Sequence, residues 1–133
     1  MNIEDFREYC LSLPGVEERM PWVEDKNQYN RGMLCFTVAG KWFCFVHIDE
    51  FEFCNLKCPP DRAEELRALY DGIRPGWHMN KRHWNSVFFH SDVSDEMVFT
   101  LIRLAYDTVA AKLSGKKKPP CPACGKAVRS KAE

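Results

Sequence analysis

No stretch of this 133-residue chain approaches the roughly 18 consecutive apolar residues that a membrane-spanning helix needs, so no membrane partner is expected. The opening Met-Asn-Ile-Glu-Asp is acidic and lacks the basic-then-apolar order of a secretory leader, which predicts a cytoplasmic protein. Signatures of catalysis are missing as well. There is no glycine-rich phosphate loop, no His-Glu-x-x-His and no nucleophile elbow. The carboxylate pairs Glu17-Glu18 and Glu64-Glu65 are adjacent in sequence and point apart on regular structure. A non-enzymatic role is the expectation. Internal repeats are absent too, which points away from a solenoid.

Net charge is zero, with 19 Lys+Arg against 19 Asp+Glu, but the balance is uneven along the chain. Residues 1–113 carry 13 basic and 18 acidic side chains, a net −5, while residues 114–133 carry 6 and 1, a net +5. An acidic body does not attract polyanions over its whole surface, so any nucleic-acid contact needs a local patch or the tail. Hydrophobic residues make up 45% and aromatics 13%, enough for one core. Seven cysteines form an odd set. Cys10 sits on a helical apolar stripe and Cys35 and Cys44 in strand-like runs, which predicts reduced thiols acting as small hydrophobes.

A first helix is expected over 2–13, with Asn2 as N-cap, Glu4 and Asp5 at its positive end, and Ile3, Phe6, Cys10 and Leu13 on one face. Pro14-Gly15 ends it. Residues 15–32 read as irregular, with a short strand near Trp22. Two strands, 33–38 and 41–48, flank a turn at Ala39-Gly40. Strict alternation in the second puts Trp42, Cys44, Val46 and Ile48 on one face and Phe43 and Phe45 on the other. A third strand is expected over 51–57. A second helix opens at Pro59-Pro60, with Ala63, Leu66 and Tyr70 inward. Residues 74–89 give a loop and a buried strand ending Val87-Phe88-Phe89. A last helix runs over 94–113, capped by Ser94 and stapled by Val93 and Val98, with Met97, Leu101, Ile102, Ala105 and Val109 inward. The expected class is α+β: a two-layer antiparallel sheet with helices on one face. The domain spans 1–113, and Lys116-Lys117-Lys118-Pro119-Pro120 opens a basic tail over 114–133.

Residues 73–84 read Ile-Arg-Pro-Gly-Trp-His-Met-Asn-Lys-Arg-His-Trp. With Leu13-Pro14-Gly15-Val16-Glu17-Glu18, Gly40-Lys41-Trp42-Phe43 and Leu56-Lys57-Cys58-Pro59, they resemble the YjbR/MmcQ family over roughly residues 3–113. The resemblance implies an α-β(3)-α-β(2)-α order, like secretion chaperones and outwardly like frataxin-type proteins. It also implies DNA binding, the label such small bacterial proteins commonly carry. Two features depart from the pattern: Trp22 stands where a Phe-Gly pair is more usual, and the Cys-x-x-Cys tail is an addition.

Within the 73–84 segment Arg74, His78, Lys81, Arg82 and His83 place five cationic or titratable groups close together, flanked by Trp77 and Trp84. Arg and Lys can neutralise phosphates, an exposed indole can stack on an unpaired base, and Asn80 can reach a base edge or sugar. The competing expectation is a solvated hairpin with Lys81 and Arg82 at its tip and the tryptophans in the core; Trp84, leading into Val87–Phe89, is the better core residue and Trp77 the better stacking platform. Asn80 can equally close the turn through its own side chain.

Cys121-Pro-Ala-Cys124-Gly-Lys is half of a zinc knuckle: two thiolates three positions apart suit one tetrahedral ion, which needs two further ligands from Cys54 and Cys58, His90 or a second chain. Otherwise the tail is free and the chain carries no cofactor. Asp49, Glu50 and Glu52 form an acidic rim or a solvated turn. Two functions stay open: a module binding DNA or other nucleic acid through 74–84, and an adaptor whose sheet face grips a protein or peptide.

Overall fold

Helix α1 (Ile3–Ser12) starts where Asn2 accepts a hydrogen bond from the Asp5 amide, and Glu4 and Asp5 occupy its first turn. A computed structural model describes residues 1–77 and 79–113; His78 and the tail 114–133 lie outside it. Strands β1 (Val16–Arg19), β2 (Met33–Val38), β3 (Lys41–His47) and β4 (Phe53–Lys57) follow. Helix α2 (Pro60–Leu69) opens with proline in its first turn, and β5 (Ile73–Pro75), β6 (Trp84–Phe88) and α3 (Asp95–Ala110) complete the order. The six strands form one antiparallel sheet in the order β1-β2-β3-β4-β6-β5. The three helices lie on one side of it, with α3 against β2, β3 and β4, α2 against β5 and β6, and α1 against β1. This is the expected two-layer α+β class.

The structure corrects the expected path from α1 to α2 and the faces of β3. Four strands, not three, separate α1 from α2, and residues around Trp22 form turns rather than a strand. Strand β1 reads Val-Glu-Glu-Arg, too polar to stand out, because it is an edge strand with Glu17 and Arg19 outside. Its support is tertiary: pairing with β2, and a two-pronged ion pair from Arg7 on α1 to Glu18 at 2.8 and 2.5 Å.

The second correction concerns β3. Its register with β2 slips between Phe36 and Thr37, so Phe36 faces Cys44 while Thr37 faces Trp42, and Phe43 is left over as a bulge. Alternation therefore breaks there. Phe43 turns inward to meet Tyr106 of α3 (ring centroids 5.7 Å apart), and Trp42 joins Phe45 on the opposite face (4.9 Å). At the β2–β3 turn Ala39 and Gly40 both adopt positive φ, 51° and 77°, as a two-residue hairpin requires.

The core fills the space between sheet and helices, with Phe6, Phe36, Phe43, Val46, Val87, Val98 and Ile102 fully enclosed. Ser94 caps α3 by accepting from the Met97 amide, and Val93 and Val98 are both buried beneath that cap. The five described cysteines, Cys10, Cys35, Cys44, Cys54 and Cys58, are buried free thiols. Among the described residues no helix is long and apolar enough to cross a membrane.

Candidate functional site

The face of the sheet away from the helices carries one cross-strand row through all six strands: Arg19, Cys35, Phe45, Asn55, Ser86 and Arg74. Two loops close over its middle. Residues 20–32 bring Trp22 and Tyr29 from one side, and residues 76–83 bring Trp77 and Met79 from the other. The loops meet where the Tyr29 and Trp77 rings touch edge to face at 5.7 Å. Between them remains a trough of about 710 Å³, floored by Phe45 and Asn55 and walled by Trp22, Tyr29, Trp42 and Trp77, with Met33 and Met79 completing its sides. That volume matches a site for one or two planar ring systems.

Both walls are anchored by polar contacts, which keeps the trough from collapsing. The Trp77 amide donates to Ser86 Oγ (2.9 Å), the Ser86 hydroxyl donates to Asn55 Oδ1 (2.5 Å), and Asn55 Nδ2 donates to the Trp77 carbonyl (3.3 Å). This closed ring ties the 76–83 loop to the buried centre of the sheet. Gly76 is needed beside it, because a Cβ there would fall 2.7 Å from Trp84 Cβ and 2.9 Å from its carbonyl oxygen. On the other wall, His47 Nδ1 accepts the amides of Asp49 and Glu50, which leaves Nε2 to donate to the Tyr29 carbonyl at 2.9 Å. The imidazole also stacks on Tyr29 (4.3 Å), and Gly32 lets it approach, since a Cβ there would stand 2.7 Å from the ring.

The surroundings of the trough, rather than its uncharged lining, differ in charge. At the Tyr29 end burial, with Glu50 and Glu52 nearby, pushes the phenol up from its ordinary value. At the opposite end burial and then Lys112 push the Lys57 ammonium down, and its Nζ lies 5.1 Å over the Trp84 ring. His83 is held below its ordinary value by desolvation, then by Lys57, Arg82 and Lys112. None of these charged residues lines the trough itself: Glu50 and Glu52 lie near Tyr29, and Lys57 and Lys112 lie beyond Trp42 and Met79, which the trough shares with the neighbouring pocket.

The residues singled out from sequence separate on this scaffold. Trp77 is 47% exposed and forms a wall of the trough, while Trp84 is 6% exposed beneath it in contact with Phe45. Asn80 is spent on its own turn, accepting from the Arg82 amide, and the Lys81 ammonium folds back 3.2 Å onto the Gly76 carbonyl. Arg74 lies over the Phe88 ring at the far edge strand. Arg82 and His83 belong to the Lys57–Lys112 end. The segment thus supplies a wall and part of a charged end rather than one continuous face. Sequence reading missed Trp22, Tyr29, Trp42, Phe45, Lys57 and Lys112. The bulge hid Trp42 by breaking alternation, and no local signal links Lys57 to Lys112.

Cys54 and Cys58, considered as partners for the tail thiols, are enclosed in the core, while Cys121 and Cys124 lie outside the described residues. Among the described residues no three His, Cys, Asp or Glu side chains gather as a metal set. The amides of Asp49 and Glu50 serve to cap His47, which makes the acidic rim a structured turn.

A family model described as YjbR matches residues 11–108. The chain belongs to the YjbR family. It is similar to protein YjbR of Escherichia coli K12, 26% identical over 119 residues, covering 89% of this chain and 95% of that one. It is also similar to YyaQ of Bacillus subtilis 168, 35% identical over 114 residues, covering 77% and 93%. Among solved structures, Deinococcus radiodurans protein DR2400 superposes with a TM-score of 0.74 at 28% identity, covering 87% of this chain and 84% of that one. A Pseudomonas syringae protein at 24% identity and TM-score 0.62, covering 79% and 96%, shares the fold. The names of these YjbR relatives state no ligand, so function must be argued from the trough.

Proposed function

We propose that the trough binds single-stranded nucleic acid, with bases held between Trp42 and Trp77 and the strand's phosphates directed toward the basic end. The observation that carries this reading is the pairing of two exposed indoles, 40% and 47% accessible, across a sheet-borne trough whose loops are pinned from beneath. Base stacking on aromatic side chains is tolerant of sequence and contributes about 1–3 kcal/mol per base. A duplex presents no unstacked base to such a trough. The DNA-binding role that the family resemblance implies agrees in class.

A second reading, a protein- or peptide-binding adaptor, draws on Met33 and Met79 in the walls and on Asn27, Asn30 and Asn55, which can meet a backbone. Fluorescence anisotropy of a labelled single strand of about 12 nucleotides, against the matching duplex, separates the two. Nucleic-acid binding predicts that the single strand binds more tightly and that its affinity falls steeply between about 50 and 200 mM salt. Equal affinity for the duplex, or no binding of either probe, removes the proposed function and leaves the adaptor.

A further inference from the structure

Beside the trough, and sharing Trp42 and Met79 with it, lies a second pocket of about 630 Å³ beneath the β2–β3 turn and the end of α3. Its lining includes Lys41, Lys57 and Lys112 and the indoles of Trp42 and Trp84, with no carboxylate among the described residues. This is unusual for the domain, whose 1–113 span holds 18 acidic against 13 basic residues. Elsewhere four arginines have acidic partners: Arg7 pairs with Glu18, Arg19 with Glu17, Arg62 with Glu65 and Arg103 with Asp107. Among the described residues no ion pair reaches any of the three lysines.

The end of α3 accounts for them only in part. Of its final carbonyls, those of Asp107, Val109 and Ala110 already accept the amides of Ala111, Lys112 and Leu113. Burial, and then the nearby Lys112, disfavour the charge on Lys57, whose ammonium lies over the Trp84 ring. Like charges gathered in a concave site without a counter-charge raise the local potential for an anion. A phosphate entering here would relieve that repulsion.

We infer that this pocket is a phosphate site, in which Lys41, Lys57 and Lys112 hold a phosphate group against the rim formed by Trp42 and Met79. The site rests on the nucleic-acid reading only for what carries the phosphate, because a strand whose bases lie in the trough passes its backbone over the shared rim. A free polyphosphate would meet the same three ammonium groups.

The test uses inorganic tripolyphosphate and the single-stranded oligonucleotide as separate probes, on the full chain and on three variants. Lys57→Met/Lys112→Gln keeps side-chain length and removes two charges; Arg62→Gln removes one charge on α2, away from the pocket; Trp77→Ala alters the trough alone. Tripolyphosphate should raise the melting temperature of the wild type, Arg62→Gln and Trp77→Ala, and not of the double variant. The oligonucleotide salt slope should fall in the double variant by about 1.4, near 0.7 per lost single-strand contact. Should the double variant not fold, Lys112→Gln alone, at an exposed position, should still lower the slope by about 0.7. A tripolyphosphate shift of equal size in the double variant, or none in the wild type, overturns the site. An unchanged oligonucleotide slope beside a lost tripolyphosphate shift supports the phosphate site, overturns its link to the strand's backbone and leaves the trough's function standing. Tripolyphosphate binding without oligonucleotide binding supports the pocket and overturns the proposed function instead.

Discussion

The backbone amide of Trp77 donates to the hydroxyl of Ser86 across 2.9 Å, joining an exposed indole to the buried centre of the sheet. The same hydroxyl donates to Asn55, so one oxygen serves both the loop and the strand beneath it. Ser86→Ala should remove the hydrogen bonds that its hydroxyl makes with the Trp77 amide and with Asn55 Oδ1, at a cost of about 1–3 kcal/mol. Urea unfolding should show that loss, and hydrogen exchange at the Trp77 amide should speed up more than exchange in α3. Unchanged protection at Trp77 would refute the anchoring role.

The two tryptophans of the 73–84 segment should respond oppositely. Trp84 is buried against Phe45, Cys35 and Met79, and Trp84→Ala should cost about 3–5 kcal/mol of stability. Trp77→Ala exchanges a half-exposed ring and should cost less stability. It should instead weaken single-strand binding by about 1–3 kcal/mol, from about fivefold to about 150-fold. Thermal unfolding and anisotropy on both variants check the contrast.

Binding should tighten as pH falls. In the free protein His83 is held below its ordinary value by desolvation and by Lys57, Arg82 and Lys112. A phosphate bound among those cations offsets their charge and raises the His83 value, so binding takes up a proton. Affinity should therefore increase as pH drops from the raised value of the bound form through the lowered value of the free protein. Phosphodiesters do not titrate there, which keeps the oligonucleotide out of the dependence. His83→Gln should flatten the profile; a profile identical to wild type would exclude His83.

The buried thiols should be inert. Burial pushes Cys35 up to about 12 and Cys58 to about 11, and pushes Cys44 and Cys54 well up too. At pH 8 these groups remain protonated and enclosed, so a thiol-specific disulfide reagent should modify them only after unfolding. Mass analysis of the unreduced, alkylated protein should show no crosslink among Cys10, Cys35 and Cys44.

Truncation after Leu113 should preserve the domain. Leu113 is the last residue of the buried cluster, and every strand and helix described precedes it. The loss should stay below about 1 kcal/mol, measured by urea unfolding of residues 1–113 against the full chain. Unfolding of the truncated chain would assign Cys121 and Cys124 a structural part.

Local chemistry made much of this protein legible from its residues alone. Asn2 and Ser94 cap helices because a side-chain oxygen satisfies a free amide wherever a helix begins. Pro60 and the Ala39-Gly40 turn act through backbone geometry, which needs no distant partner. The apolar period of α3 likewise declared which face meets the sheet. The 73–84 segment was marked by its composition, and Trp84 and Asn80 by their immediate neighbours. Tertiary structure decided the rest, because each remaining feature depends on groups far apart in the chain. Strand β1 exists through Arg7 and β2, not through its own polar sequence. Trp42 reaches the trough because a bulge against β2 rotates it to the side of Phe45. Lys57 and Lys112, 55 positions apart, become neighbours only when α3 packs across the sheet, and charge acts through space rather than along sequence.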